Sequence, residues 1–298
     1  MTERGAGLAV IAAAAGKSIA SGALVRLRHG LEALTPALQR VARYAAEHPE
    51  AVIYQTVTEL AEASGAGEAS VIRACRDLGY SGFQDFKLAL AADLAGRGVA
   101  QPEAAGAVPH DTIGIINFAA GVSKEALDAT AGILDPDAVD RVTAAIGSAP
   151  RIEVYGVGAS GITAQDFAYK FLRLGLPVVA ILDPHLAAMS AANLPAGAVA
   201  IGISRSGSTM DTIVALQTAR AVGAYTVALT HRARSAITFA DAILYTSSPE
   251  SPLSGGAVSS KVGQLLVLEV LFTALMLRIP SAADAVRRTA QAVADKSL

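Results

Sequence analysis

Two short stretches of this chain are built from the residue types that hold phosphate groups. The first is Gly156-Val157-Gly158-Ala159-Ser160-Gly161, a match to G-x-G-x-x-G. Between a strand and a helix, such a run lets the backbone approach a pyrophosphate closely. Asp183 follows about 20 residues on at an expected strand end, which completes a dinucleotide pattern. The second stretch is Ser204-Arg205-Ser206-Gly207-Ser208-Thr209. Backbone N–H groups and hydroxyls at a helix N-terminus suit a phosphate. Simple capping needs one serine, whereas this loop offers four hydroxyls and a glycine. A third stretch, Gly16-Lys17-Ser18, ends like a P-loop, but Ile11 stands at the first glycine position and no strand rich in branched residues precedes it.

The rest of the chain sets limits on this chemistry. It has 298 residues, a formal net charge of −2, one cysteine and no tryptophan, with 52% hydrophobic and 17% charged residues. That length is comfortable for two domains. One cysteine excludes a disulfide framework and a thiolate zinc site, and the scattered histidines form no His-x-x-x-His pair. No metal and no cofactor are therefore expected. The near-zero charge excludes a highly basic architectural nucleic-acid binder, though not a local basic surface. Alanine supplies much of the hydrophobicity. The most apolar C-terminal stretch, Val262 to Leu277, carries Gln264 and Glu269, so no membrane association is expected. Residues 1–22 read as a flexible or partly helical extension; a signal peptide is the alternative, weakened by Glu3 offsetting Arg4.

The elements that must position these residues fall into two kinds. Residues 23–98 read as helical throughout. Thr35-Pro36 starts a helix, with Thr as cap and Pro at the first position, and Leu38, Val41, Ala42 and Ala45 recur at helical spacing. His48-Pro49 ends it. Thr58 is followed three residues later by Ala61, so no capping box is expected there. Val57, Leu60 and Ala61 form a short apolar face that Gly65 breaks. A further helix runs from Glu68 to Leu78, with Val71, Ile72, Cys75 and Leu78 inward and Gly79 as terminator. Phe83, Phe86, Leu88 and Leu90 begin the next. Two short helices joined by a glycine turn are a helix-turn-helix pattern. Spacing alone leaves an ordinary αα-hairpin equally open.

The segment TVTELAEASGAGEASVIRACRDLGYSGFQDFKLAL, residues 56–90, resembles the N-terminal domain of the RpiR family of bacterial transcription regulators. Ala74 departs from the pattern, standing where members of that family often carry an aromatic residue. The resemblance implies a recognition helix, Glu68 to Leu78, whose first residues meet base edges in the major groove of an operator. Glu68, Ala69, Ser70, Arg73 and Arg76 are the candidates. Ser70 suits a phosphate oxygen; Arg73 suits a guanine edge or a phosphate. Arg76 has a competing partner in Asp77 or Asp85. Residues 23–98 carry eight basic and nine acidic side chains. Such a weak electrostatic footprint requires modules acting in pairs, so a homodimer or homotetramer is expected.

Residues 99–110 read as a linker. Asp111 to about Gly132 reads as a helix, and strands then alternate with helices. Strands are expected at 151–155, 177–182, 198–203, 225–229 and 242–245. Helices are expected at 163–174, 210–222 and 263–278. This is a three-layer α/β domain with a parallel sheet. With the two loops, it resembles the SIS (sugar isomerase) domain, a resemblance that extends to Ser190-Ala191-Ala192-Asn193-Leu194 as a helix start. It implies that Ser204, Ser206 and Thr209 grip the phosphate of a phosphosugar, helped by Gly207 and Ser208. Ser160, in the loop turned by Gly158, faces the sugar or phosphate. His185 and Lys261 are further candidates. Asp183 becomes a strand-end residue and Glu269 an interface or cap-bonded one, while Arg205 is expected at the surface.

The expected whole is an all-α helix-turn-helix domain (23–98) followed by an SIS domain (111–298). It would be a cytoplasmic, non-enzymatic regulator of sugar-metabolism genes, with double-stranded operator DNA and a phosphorylated sugar effector as partners. A phosphosugar isomerase with a helical appendage is the alternative. It needs a base near the sugar carbonyl, for which His185 and Glu269 stand nearest.

Overall fold

The computed structural model describes residues 22–96, 111–248 and 258–294. The expected linker at 99–110 and all but the last residue of the expected extension at 1–22, with Gly16-Lys17-Ser18, lie outside the described residues. The chain divides into two units near residue 108.

The first unit is all helical: α1 (Ala23–Gly30), α2 (Pro36–Glu47), the short α3 (Pro49–Val52), α4 (Val57–Ser64), α5 (Glu68–Asp77) and α6 (Phe83–Gly96). Leu27, Leu38, Val41, Val52, Leu60, Val71, Phe86 and Leu90 fill one core. On α5 the sequence pattern places Ile72 inward, yet Ala74 takes a fully buried place and Ile72 is only half-buried. Leu88 faces solvent at 48% exposure rather than joining the core.

Local chemistry explains the ends of these helices. Thr35 makes no side-chain cap, so Pro36 alone marks that start. A capping box does exist, two residues before the position tested in the sequence: the Thr56 hydroxyl accepts the Glu59 N–H, and the Glu59 carboxylate accepts the Thr56 N–H. α4 stops at Gly65 (φ 64°) and α5 at Gly79 (φ 90°). In each stop the next two N–H groups fold back onto carbonyls of the last turn, as at Gly79 to Arg76 and Tyr80 to Cys75. The start of α1 is capped from a distance: Asp93, on α6, accepts the Leu24 N–H at 2.9 Å. A Cβ at position 22 would sit 2.5 Å from that carboxylate, which would then have to shift.

The second unit begins with α7 (Thr112–Ile133), N-capped by Asp111, and α8 (Pro136–Ser148). There follow β1 (Ile152–Tyr155), α9 (Ala159–Arg173), β2 (Val178–Ile181), α10 (Pro184–Ala191), β3 (Val199–Ile203), α11 (Met210–Ala221), β4 (Tyr225–Thr230) and β5 (Ala242–Tyr245). The chain closes with α12 (Val258–Arg278) and α13 (Ala282–Ala294). The strands form one parallel sheet in the order β2-β1-β3-β4-β5. One core packs β1, β3 and β4 against α8, α9 and α12; the other packs the opposite face against α10 and α11. This is the expected three-layer α/β architecture. α8, α10 and α13 lie outside the helices expected from the sequence, and the run Ser190–Leu194 lies at the end of α10 and the turn after it, not at a helix start.

Among the described residues, one helical stretch, Ser259–Arg278, is long and apolar enough to cross a membrane. Its Val267, Leu268, Leu271 and Leu275 are buried in the sheet core.

Candidate functional site

In a sheet of this order the chain reverses direction of winding between β1 and β3. A crevice opens there at the carboxyl ends of the strands, the usual ligand position in doubly wound folds. The two loops singled out in the sequence are those that follow β1 and β3. The strands are neighbours, with Tyr155 paired to Gly202, so the sheet itself brings the loops together.

The glycines of the first loop have separate tasks. A Cβ on Gly156 would lie 2.6 Å from the Ser160 carbonyl oxygen, and one on Gly161 would lie 2.9 Å from Leu182. Gly158 takes φ 58°. The strand can thus turn sharply into α9, with Ser160 in its first turn. Asp183 is occupied as the N-cap of α10, accepting the Leu186 N–H at 2.8 Å. That is the cap role, not a ribose ligand's.

The second loop folds on itself. The Ser204 and Thr209 hydroxyls meet at 3.0 Å, and the Gly207 N–H donates to the Ser204 carbonyl at 3.0 Å. The Ser206 hydroxyl accepts the Ser208 N–H, and the Ser208 hydroxyl donates to the Ser206 carbonyl. Gly207 has φ 62°, and its Cβ position would overlap Ser235 at 2.0 Å. Since the Thr209 hydroxyl is turned to Ser204, α11 starts without a side-chain cap. The first turn of α11, whose Asp211 and Thr212 line the crevice, thus has no side-chain cap among the described residues. Arg205 is half-buried rather than at the surface; its carbonyl accepts the His231 N–H and the Thr230 hydroxyl, which ties the loop to the end of β4.

Gly156 and Val157, Leu182 and Pro184, and Asp211 and Thr212 line the crevice, with Tyr155 beneath. Asp211 and Thr212 are additions that sequence reasoning missed; the Thr212 hydroxyl is buried with no hydrogen-bond partner among the described residues. His185 is exposed in the first turn of α10, next to Pro184. α9 and α12 run parallel, joined by Thr163–Gln264 at 2.8 Å and by Lys170–Glu269 at 3.0 Å. Ser160 and Lys261 each lie three residues before the first of these pairs, so they start the two helices at the same end. Glu269 makes an ion pair with Lys170 rather than a cap bond, and the Lys170 ammonium also sits 4.7 Å from the Phe272 ring centre.

Tyr155 is held by Glu153, a second residue that sequence reasoning passed over. Its carboxylate has no exposure and accepts Tyr155 Oη–H at 2.6 Å, Ser190 Oγ–H at 2.6 Å and Arg151 Nε–H at 2.7 Å. Burial, then the bond to Glu153, pushes the Tyr155 phenol well above its ordinary value, so it stays a proton donor.

In the helical unit, α4, the Gly65 turn and α5 form the helix-turn-helix. Arg40 braces the turn by donating to the Gly65 carbonyl at 3.2 Å. Ala69, Arg73 and Arg76 are exposed at helical spacing on one face of α5, with Ser70 half-buried beside them. Glu68 is exposed, but its carboxylate accepts a hydrogen bond from the Thr58 hydroxyl. No ion pair joins Arg76 to Asp77 or Asp85 among the described residues; Asp85 instead accepts from Ser81 at the start of α6. Cys75 lies on the buried side, and burial pushes its thiol up to about 12.

Comparison with known proteins gives both halves a family. The profile "Helix-turn-helix domain, rpiR family" matches residues 21–97, and "SIS domain" matches 145–274. An "Uncharacterized HTH-type transcriptional regulator" of Caldanaerobacter subterraneus is 37% identical over 84% of this chain and 88% of its own. The Bacillus subtilis regulator YbbH is 33% identical over 85% of this chain and 90% of its own. The Vibrio vulnificus NanR protein, solved in complex with ManNAc-6P, superposes with a TM-score of 0.81 at 35% identity. It covers 93% of this chain and 100% of its own.

Proposed function

The chain belongs to the rpiR family of helix-turn-helix transcriptional regulators, and from that premise we propose that it binds operator DNA through α4 and α5 and senses a phosphorylated sugar at the β1/β3 crevice. In this reading residues 23–98 are the DNA-binding domain, 99–110 the linker and 111–298 the sensing domain.

The observation that carries the proposal is the folded loop Ser204–Thr209 at the uncapped start of α11. Helix N–H groups and hydroxyls there suit a phosphate oxygen by charge and geometry. Ser204, Ser206, Gly207, Ser208 and Thr209 would hold the phosphate, while Gly158, Ser160, His185 and Lys261 border the sugar. The Asp211 carboxylate suits sugar hydroxyls rather than the phosphate. N-acetylmannosamine 6-phosphate, the ligand of the Vibrio relative, is a first compound to test.

Arg73, Arg76, Ala69 and Ser70 would face the DNA, with Arg73 the principal contact. Glu68 has a second task in bracing α5 through Thr58. A cytoplasmic homodimer or homotetramer fits the weakly charged module and the apolar side chains left exposed on the second unit, such as Ile113 at 73% and Leu277 at 82%. A non-enzymatic role is favoured because relatives matched over most of both chains are transcriptional regulators.

The test is Ser206→Ala in the intact chain, with two measurements. Loss of the sugar-phosphate response with DNA affinity retained supports separate sensing and DNA-binding sites. Loss of both, or of neither, contradicts the assignment.

A further inference from the structure

Glu153 lies next to the crevice-lining Tyr155 and takes no part in the proposed phosphate binding. It stands on β1, on the face that packs against α10 and α11, while Ile152 and Val154 point into the opposite core. A carboxylate with no exposure is costly unless donors saturate it. Three donors do so here, and one of them comes from another element: Ser190, in the last turn of α10, at 2.6 Å. Arg151 closes the group by donating to both Glu153 and the Ser190 hydroxyl.

The other end of α10 forms the crevice. Pro184 and Ala187 line it opposite Tyr155, and Tyr155 donates its phenol to the same carboxylate. One buried group therefore holds both the floor of the crevice and the helix that walls it. α10 is only eight residues long and otherwise docks through small side chains such as Ala187 and Ala191. The buried Glu153–Ser190 bond adds a directional constraint to that apolar packing.

We propose that Glu153 is a positioning residue for the sugar part of the ligand: through Ser190 and Tyr155 it fixes how far α10 stands from β1, and so which sugar the crevice admits. The proposal rests on the sugar-phosphate reading above. The phosphate itself is held by a different loop, on β3, which separates the two contributions experimentally.

The experiment measures binding of inorganic phosphate and of glucose 6-phosphate, fructose 6-phosphate and N-acetylmannosamine 6-phosphate to the full chain by calorimetry. It compares wild type with Ser190→Ala, Ser190→Thr and Glu153→Gln. Ser190→Ala leaves the carboxylate two donors and is the mildest change. The expected result is a loss of about tenfold in affinity for the best sugar phosphate, the effect of one hydrogen bond to a charged group. Inorganic phosphate should bind as before, and Ser190→Thr should restore the sugar affinity. Equal losses for both ligands, or sugar-phosphate affinity unchanged in both Ser190→Ala and Glu153→Gln, overturn the proposal while leaving the sugar-phosphate site standing. A wild-type chain that binds no sugar phosphate overturns both.

Discussion

The hydroxyls of Ser204 and Thr209 lie 3.0 Å apart, joining the residue that follows β3 to the residue before α11. This contact closes the loop and keeps Thr209 from capping the helix it precedes. The proposed phosphate site rests on this unfilled helix start. Four consequences can be measured besides the coupling itself.

Gly207→Ala should abolish the loop. The left-handed backbone at φ 62° costs a side-chain-bearing residue about 1–2 kcal/mol. The added Cβ would also overlap Ser235 at 2.0 Å. Chemical denaturation should show a loss exceeding the backbone cost, and sugar-phosphate binding should disappear. A variant as stable as wild type that still binds would refute this geometry.

Arg73→Ala removes an exposed side chain without touching the core of the helical unit. Operator affinity should fall by about 1–3 kcal/mol if Arg73 reads a base; if it holds a phosphate, the salt slope should shrink by about one. Anisotropy titrations at several salt concentrations distinguish the two. Unchanged affinity and slope would remove Arg73 from the interface.

Thr56→Ala breaks the capping box of α4 and should cost about 1 kcal/mol. Thr58→Ala does not touch that box. Parallel melts of the two variants test whether position 56 is the cap.

Burial raises the Cys75 thiol from its ordinary 9.0 to about 12. The native protein should therefore resist thiol reagents at pH 8 and react once unfolded. The folded state binds this proton more tightly than the unfolded one. Its contribution to stability is thus fully present below pH 9.0 and lost as the pH rises through about 12. Rapid labelling of native protein at pH 8 would show the site to be open.

Parts of this account are legible in the sequence because they depend on residues with few substitutes. Gly65, Gly79 and Gly207 mark backbone conformations that side chains resist, and a run of hydroxyls at a helix start has few structural uses. The alternation of branched strands and helices gives the parallel sheet. Other parts are hidden for physical reasons. α10 is alanine-rich, so its apolar face produces little periodic contrast, whereas α8 shows Val139, Val142 and Ile146 at helical spacing behind Asp135-Pro136 and is readable. The cap of α1 comes from Asp93, 69 residues away from the N–H it accepts. Glu153 looks like an interruption in a strand; its meaning depends on Ser190, which folding brings to it. Arg205 looks like a surface charge until its carbonyl is seen tied to β4.

The most direct test of the central claim is anisotropy of labelled DNA from upstream of the protein's own gene, titrated with wild-type chain at fixed low salt, with and without sugar phosphates. Specific binding is expected, with a shift in affinity of at least about fivefold with one of them, the size of an ordinary coupling between sites. DNA affinity that no sugar phosphate changes, although one is bound, would contradict that claim.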